Sequence, residues 1–105
     1  MNKVVLVTGS SKGLGKELIR LLTEDYEVII HYHNSYEEAL SLKEEIDNLY
    51  NRDTMIVKCD LSNEEEIDKM IDTIYDKYDN IYGLINNAGI AIDTCFEDKT
   101  KDNFM

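Results

Sequence analysis

Four consecutive apolar residues, Val4-Val5-Leu6-Val7, run through a glycine turn directly into a stretch with helical spacing, and this junction constrains the chain more than any other feature. An unbroken apolar run suits a parallel strand covered on both faces, where an alternating pattern would suit a strand with one wet face. The turn that follows is Thr8-Gly9-Ser10-Ser11-Lys12-Gly13-Leu14-Gly15, and Leu14, Leu18, Leu21 and Leu22 then predict the buried stripe of a helix. A helix N-terminus carries unpaired N–H groups and partial positive charge, so a strand-turn-helix junction with so little side-chain bulk is suited to a phosphate. The spacing is Gly-x-x-x-Gly-x-Gly. It differs from the Gly-x-Gly-x-x-Gly dinucleotide fingerprint and lacks the Gly-Lys-Ser/Thr ending of a nucleotide-triphosphate loop, which excludes an ATPase. The plainer alternative is that the glycines only shape a tight turn and let helix pack on strand.

Downstream, Glu27 to His33 reads as a second strand, and Ser35-Tyr36-Glu37-Glu38 has the capping-box pattern that opens a helix. Ala39, Leu42, Ile46 and Leu49 are its expected buried stripe. Met55-Ile56-Val57 is a third strand leading to Asp60. Ser62-x-x-Glu65 is a second capping box, followed by the apolar stripe Ile67, Met70, Ile71, Ile74 and Tyr75. Tyr82 to Ile85 is the fourth strand, and Thr100 to Met105 reads as the opening turn of another helix. Strands alternating with helices imply right-handed crossovers and a doubly wound parallel sheet of order 3-2-1-4. The first two helices then lie on one face and the third lies alone on the other.

The sequence has 105 residues, 22 acidic against 11 basic, a net charge of −11 and a pI near 4.4. That is one domain able to bury a core, and its charge argues against nucleic acid and anionic membranes as partners. No apolar run is long enough to span a bilayer, and the chain enters its first strand with no signal peptide ahead of it. Cys59 and Cys95 lack metal or redox spacing, which fits a reducing cytoplasm, and Cys59 reads as strand-end packing. The acidic run Glu64-Glu65-Glu66 falls in a first helical turn, where acids favour the dipole, and reads as a solvated helix start.

Three motifs, Thr8 to Gly15, Asp60-Leu61 and Asn86-Asn87-Ala88-Gly89, resemble the cofactor motifs of the short-chain dehydrogenase/reductase family, in the manner of its 3-oxoacyl-acyl-carrier-protein reductase branch. The resemblance runs from Met1 to about Met105. It implies a single Rossmann-type α/β domain over residues 1–105, truncated after the fourth strand. By resemblance, Gly9, Ser10, Ser11, Lys12 and Leu14 hold the phosphates and adenosine ribose, with Gly13 and Gly15 completing the loop. Asp60 and Leu61 meet the adenine, and Asn87, Ala88 and Gly89 lie along the ribose side. Asn86 ties the fourth strand to its neighbour. From the residues alone, Asp60 is equally a turn residue beside the Ser62 cap.

The choice between NAD and NADP rests on charge at the end of the second strand, where an NAD site places Asp or Glu. This chain offers His31, His33, Asn34 and Ser35 there, with Lys12 in the glycine loop. The family often uses basic residues at the Lys12 and His33 positions for NADP, which makes NADP the expected cofactor. The competing reading leaves Lys12 a solvated turn residue and His33 a strand end. His31 and His33 are two apart on a strand and share a face, but no carboxylate or cysteine with ligand spacing accompanies them, so no metal site is expected.

The resemblance also implies a mechanism whose residues are absent. The family protonates its substrate with a tyrosine assisted by a lysine four residues later, beside a serine and an asparagine. None of the seven tyrosines here is followed by lysine at that position, so no catalytic residue is assigned. The expectation is the N-terminal cofactor-binding portion of an NADP-dependent oxidoreductase, its catalytic half absent. It would pass hydride between nicotinamide and a carbonyl or secondary alcohol, a 3-oxoacyl thioester among the candidates, and would be a homo-oligomer in the cytoplasm. The alternative is a non-catalytic dinucleotide-binding sensor or interaction module.

Overall fold

The computed structural model describes residues 3–88. In chain order the elements are β1 (Val4–Val7), α1 (Gly13–Leu22), β2 (Glu27–Tyr32), α2 (Tyr36–Tyr50), β3 (Met55–Lys58), α3 (Glu64–Lys77) and β4 (Gly83–Ile85). The strands form a parallel sheet of order β3-β2-β1-β4, with Leu6 level with Ile29 on one side and Leu84 on the other. This is the expected Rossmann-type arrangement, including the reversal of winding between β1 and β4. Cys95, Gly89 and the helical turn expected at Thr100 to Met105 lie outside the described residues.

Two cores explain why the strands are apolar on consecutive positions. Val5, Val7, Val28 and Ile30 pack under α1 and α2 with Ile19, Ala39, Leu42 and Ile46. Val4, Leu6, Ile29, Val57 and Cys59 pack under α3 with Ile67, Met70, Ile71 and Ile74. Arg20 on α1 adds a two-pronged ion pair to Glu45 on α2, both contacts at 2.9 Å. Cys59 is fully buried as a strand-end packing residue, and burial pushes its thiol up to about 11. No helix among the described residues is long and apolar enough to cross a membrane.

Several sequence expectations shift by a fraction of a turn. In α1 the inward residues are Gly15, Leu18, Ile19 and Leu22, while Leu14 and Leu21 are 69% and 72% exposed. The two sets are one residue apart, about 100° around a helix, and the inward phase is fixed by Gly15, which must face the turn. In α2, Leu49 is exposed and Tyr50 takes its place against the core, with the Arg52 guanidinium 4.9 Å from its ring centroid. Tyr75 joins the α3 stripe only partly buried. Strand ends also move: β2 stops at Tyr32, so His33 lies beyond it, β3 continues to Lys58, and β4 begins at Gly83.

Neither capping box forms as written. Ser35 stands at the N-cap of α2, but its hydroxyl makes no capping bond, because at ψ 55° its backbone leaves the extended conformation that aims the side chain at the first turn. At α3 the cap is Asn63, whose side-chain oxygen accepts from the N–H groups of Glu65 and Glu66 at 3.0 and 3.2 Å. Ser62 instead donates its hydroxyl to Asp60 Oδ1 at 2.6 Å, and the Glu66 carboxylate accepts the Asp60 N–H at 3.0 Å.

The corrected stripe of α2 gives a direct test by urea denaturation. Ile46→Ala, which empties a fully buried site, is expected to destabilise by about 2–5 kcal/mol. Leu49→Ala, three residues later on the solvent side, should stay within about 0.5 kcal/mol. Equal losses would return Leu49 to the core.

Candidate functional site

The carboxyl ends of β1, β2 and β3 converge on an open cavity of about 310 Å³. Gly9, Ser11 and Lys12 line it from the turn after β1, His31 to Ser35 from the end of β2, Cys59, Asp60 and Leu61 from the end of β3, and Ala88 from beyond β4. Two larger hollows, of about 420 and 510 Å³, lie along α3 and at the amino end of the sheet. They contain none of the motif residues, so size is a poorer guide here than topology.

The glycines of the turn act in different ways. Gly9 and Gly13 hold φ of +62° and +64°, a left-handed conformation that side chains disfavour. Gly15 is required by space: a Cβ there would overlap the Gly9 carbonyl oxygen and stand 2.8 Å from Ser10 Cα. The glycines therefore do shape a tight turn and let the helix pack on the strand, and the turn leads into a bare helix end. The N-cap of α1 is Lys12, no side chain caps it, and no acidic residue occupies its first turn. By contrast, α3 begins with a bonded Asn63 and three glutamates.

Around this turn the expected residues divide. Ser11 and Lys12 face the cavity, whereas Ser10 is fully buried and its hydroxyl accepts the His31 N–H at 3.0 Å. Gly13 and Leu14 do not line the cavity, and Gly15 lies beneath the turn. His33, Asn34 and Ser35 come together on the cavity rim with Asp60, whose Oδ2 is 3.9 Å from His33 Nε2. Bonds from the Ser62 hydroxyl and N–H hold the Asp60 carboxyl below the usual carboxylate range. Asp60 is thus both a turn residue and a cavity residue.

The segment after β4 closes onto the turn. Thr8 donates its hydroxyl to Asn86 Oδ1 at 3.1 Å and accepts the Ala88 N–H at 3.1 Å. Asn86 therefore does tie β4 to β1. Asn87 Nδ2 donates to the Gly9 carbonyl at 3.1 Å, and so supports the turn from below. Gly89 lies outside the described residues.

Sequence reading missed the part played by His31. Its ring is buried, accepts the Gly9 N–H at Nδ1 (2.8 Å) and donates from Nε2 to the Cys59 carbonyl (2.9 Å), joining the turn to the end of β3. Burial, chiefly, lowers its pKa below the ordinary histidine value. The signal was available: a histidine at the last inward position of an otherwise apolar strand must find buried partners. Among the described residues no group of three or more His, Cys, Asp and Glu is placed to hold a metal.

Comparison with known proteins follows the same lines. The profile described as short chain dehydrogenase matches residues 3–105. The chain is 39% identical over 94 residues to 3-oxoacyl-acyl-carrier-protein reductase FabG of Aquifex aeolicus, an alignment covering 90% of this chain and 38% of that one. The FabG of Staphylococcus epidermidis is 31% identical over 106 residues, covering 100% of this chain and 39% of the relative. That of Staphylococcus aureus is 33% identical over 94 residues, covering 89% and 38%. The chain spans less than two fifths of the length of these relatives. With the profile matched over nearly the whole chain, and the sheet order and glycine turn in place, this protein belongs to the short-chain dehydrogenase/reductase family.

Proposed function

We propose that the cavity binds NADP(H) and that the chain is the cofactor-binding portion of an oxidoreductase acting between a carbonyl and a secondary alcohol, with 3-oxoacyl thioesters as the substrate class suggested by the relatives. The observation that carries this reading is the uncapped, acid-free N-terminus of α1, which opens with Lys12 beside the cavity that also receives His33. Such a helix end offers free N–H groups and positive potential to a phosphate. The residues fit the cofactor: a left-handed glycine turn without bulk, a lysine, and a second-strand end free of carboxylate.

In this reading Gly9, Ser11 and Lys12 hold the pyrophosphate, and Lys12, His33, Asn34 and Ser35 surround the 2′-phosphate. Asp60 and Leu61 border the adenine, and Asn87 and Ala88 keep the turn in place on the nicotinamide side. When bound, the nicotinamide supplies or accepts hydride. The chain's own residues bind and orient; none of them is a tyrosine with lysine four positions on. A second reading of the same residues is a dinucleotide-binding sensor or interaction module. The buried free thiol of Cys59 suits the reducing cytoplasm, which belongs to the same proposal. So does self-association along β4, where Leu84 and Ile85 are only partly buried; sedimentation as a strict monomer would contradict it.

Two measurements test the site. The 105-residue chain is expected to bind NADPH but to show no ketone-dependent NADPH oxidation, because a positioned general acid alone is worth about 10²–10⁴-fold. Steady turnover abolished by Gly13→Ala would overturn this. The NADPH/NADH affinity ratio should exceed one, since only NADPH presents a 2′-phosphate to Lys12 and His33. Because the His33 side chain is 51% exposed, solvent screens the contact, and His33→Ala should lower the ratio about three- to tenfold. A preference for NADH would remove this reading of the strand end.

A further inference from the structure

His31 is tied to the glycine turn and to β3 by four hydrogen bonds. Its backbone N–H donates to Ser10 Oγ and its carbonyl accepts the Ser10 N–H, both at 3.0 Å, while its ring meets the Gly9 N–H and the Cys59 carbonyl. A backbone N–H can only donate and a carbonyl can only accept, so the ring accepts at Nδ1 and donates at Nε2. The partners alone fix a neutral imidazole in the Nε2–H tautomer. An imidazolium carries a proton on both nitrogens, and would set one N–H against another across the 2.8 Å between Nδ1 and Gly9 N. Gly9 cannot shift by itself: it holds a left-handed φ, its carbonyl accepts from Asn87, and Gly15 packs on it.

We infer that His31 is a positioning residue for the phosphate turn: its neutral imidazole holds Gly9 in the conformation that opens the N-terminus of α1, and protonation of the ring releases the turn. Only the ligand arm of the test below rests on the proposed dinucleotide site. The charged and titratable groups around the ring are Lys12 from the turn, Tyr32 and His33 at the end of β2, Cys59 and Asp60 after β3, and Glu66 on α3, whose carboxylate accepts the Asp60 N–H. Burial and His33 oppose charging of the ring, and the Cys59 carbonyl favours it; burial is the larger effect. The unfolded chain therefore takes up a proton near pH 6.5 that the folded chain resists. Stability falls as pH drops through about 6.5 toward the lower folded value.

The test is nitrogen NMR and amide exchange on the 105-residue chain without ligand. At pH 7.5 the His31 ring should show the Nε2–H tautomer, and the Gly9 amide should be protected. That protection factor should drop about tenfold or more as the ring titrates, the scale of one unmade buried hydrogen bond. His31→Asn, which can present an oxygen near the Nδ1 position, should keep Gly9 protected and remove the pH dependence. His31→Gln, which can reach Cys59 but brings no acceptor to Gly9, should lose protection and weaken NADH binding about tenfold. NADH carries no 2′-phosphate, so its affinity does not report the contact proposed for His33. An Nδ1–H tautomer, or a Gly9 amide indifferent to both the ring's titration and His31→Gln, would overturn the inference. If neither variant folds, the wild-type titration decides it. If NADH fails to bind at any pH, the dinucleotide reading falls while Gly9 protection still decides the role of His31.

Discussion

The contact between Gly15 and the Gly9 carbonyl is the constraint on which the rest of the site depends. No side chain fits between them, so α1 comes down on the end of β1 backbone to backbone. That approach sets the rotation of the helix, which turns Leu18, Ile19 and Leu22 into the core and leaves Leu14 and Leu21 in water. It also leaves the N-terminus of the helix without a capping side chain. Close packing and a bare helix end thus meet at one missing Cβ.

The crevice has its second wall because the winding reverses between β1 and β4. Thr8 stands at the seam: its hydroxyl gives to Asn86 and receives from Ala88, and Asn87 reaches the Gly9 carbonyl, so the segment after β4 is moulded on the turn after β1. These bonds are buried or partly buried and each removes a polar group that would otherwise be left unpaired. The chain's net charge of −11 would repel a polyanion at long range, yet at the cavity Lys12, His33 and the helix end stand against Asp60 alone among its lining carboxylates. Local arrangement of charge, and not its total, decides what the cavity can hold.

Most of the architecture was legible because periodicity and order are properties of sequence. The apolar strands, the stripe of α3 and the alternation of elements are each recorded in spacing, and right-handed crossovers convert that order into a sheet. Phase was less legible. Nothing in α2 alone says that Tyr50 and not Leu49 completes the stripe, because the two differ by one step of rotation and both are apolar enough to bury. The capping boxes failed for a different reason: the pattern specifies residue types, while a cap requires backbone geometry, which Ser35 lacks and Asn63 supplies one residue after Ser62. In the site, many of the motif residues come together at one cavity, but the motifs do not say which of them turn inward, as Ser10 does toward β2.

His31 and His33 show how far two neighbours of one type can diverge. On a continuing strand they would share a face, but β2 ends at Tyr32, and the bend that follows carries His33 to the rim beside Asp60 while His31 stays under the floor. The buried ring is held neutral by partners that cannot change roles, a backbone N–H and a carbonyl. The rim ring stands beside the Asp60 carboxylate with half its surface in solvent. The buried ring therefore shapes the turn, whereas the rim ring is open to whatever enters the cavity. The difference between sites two residues apart comes from where the strand stops.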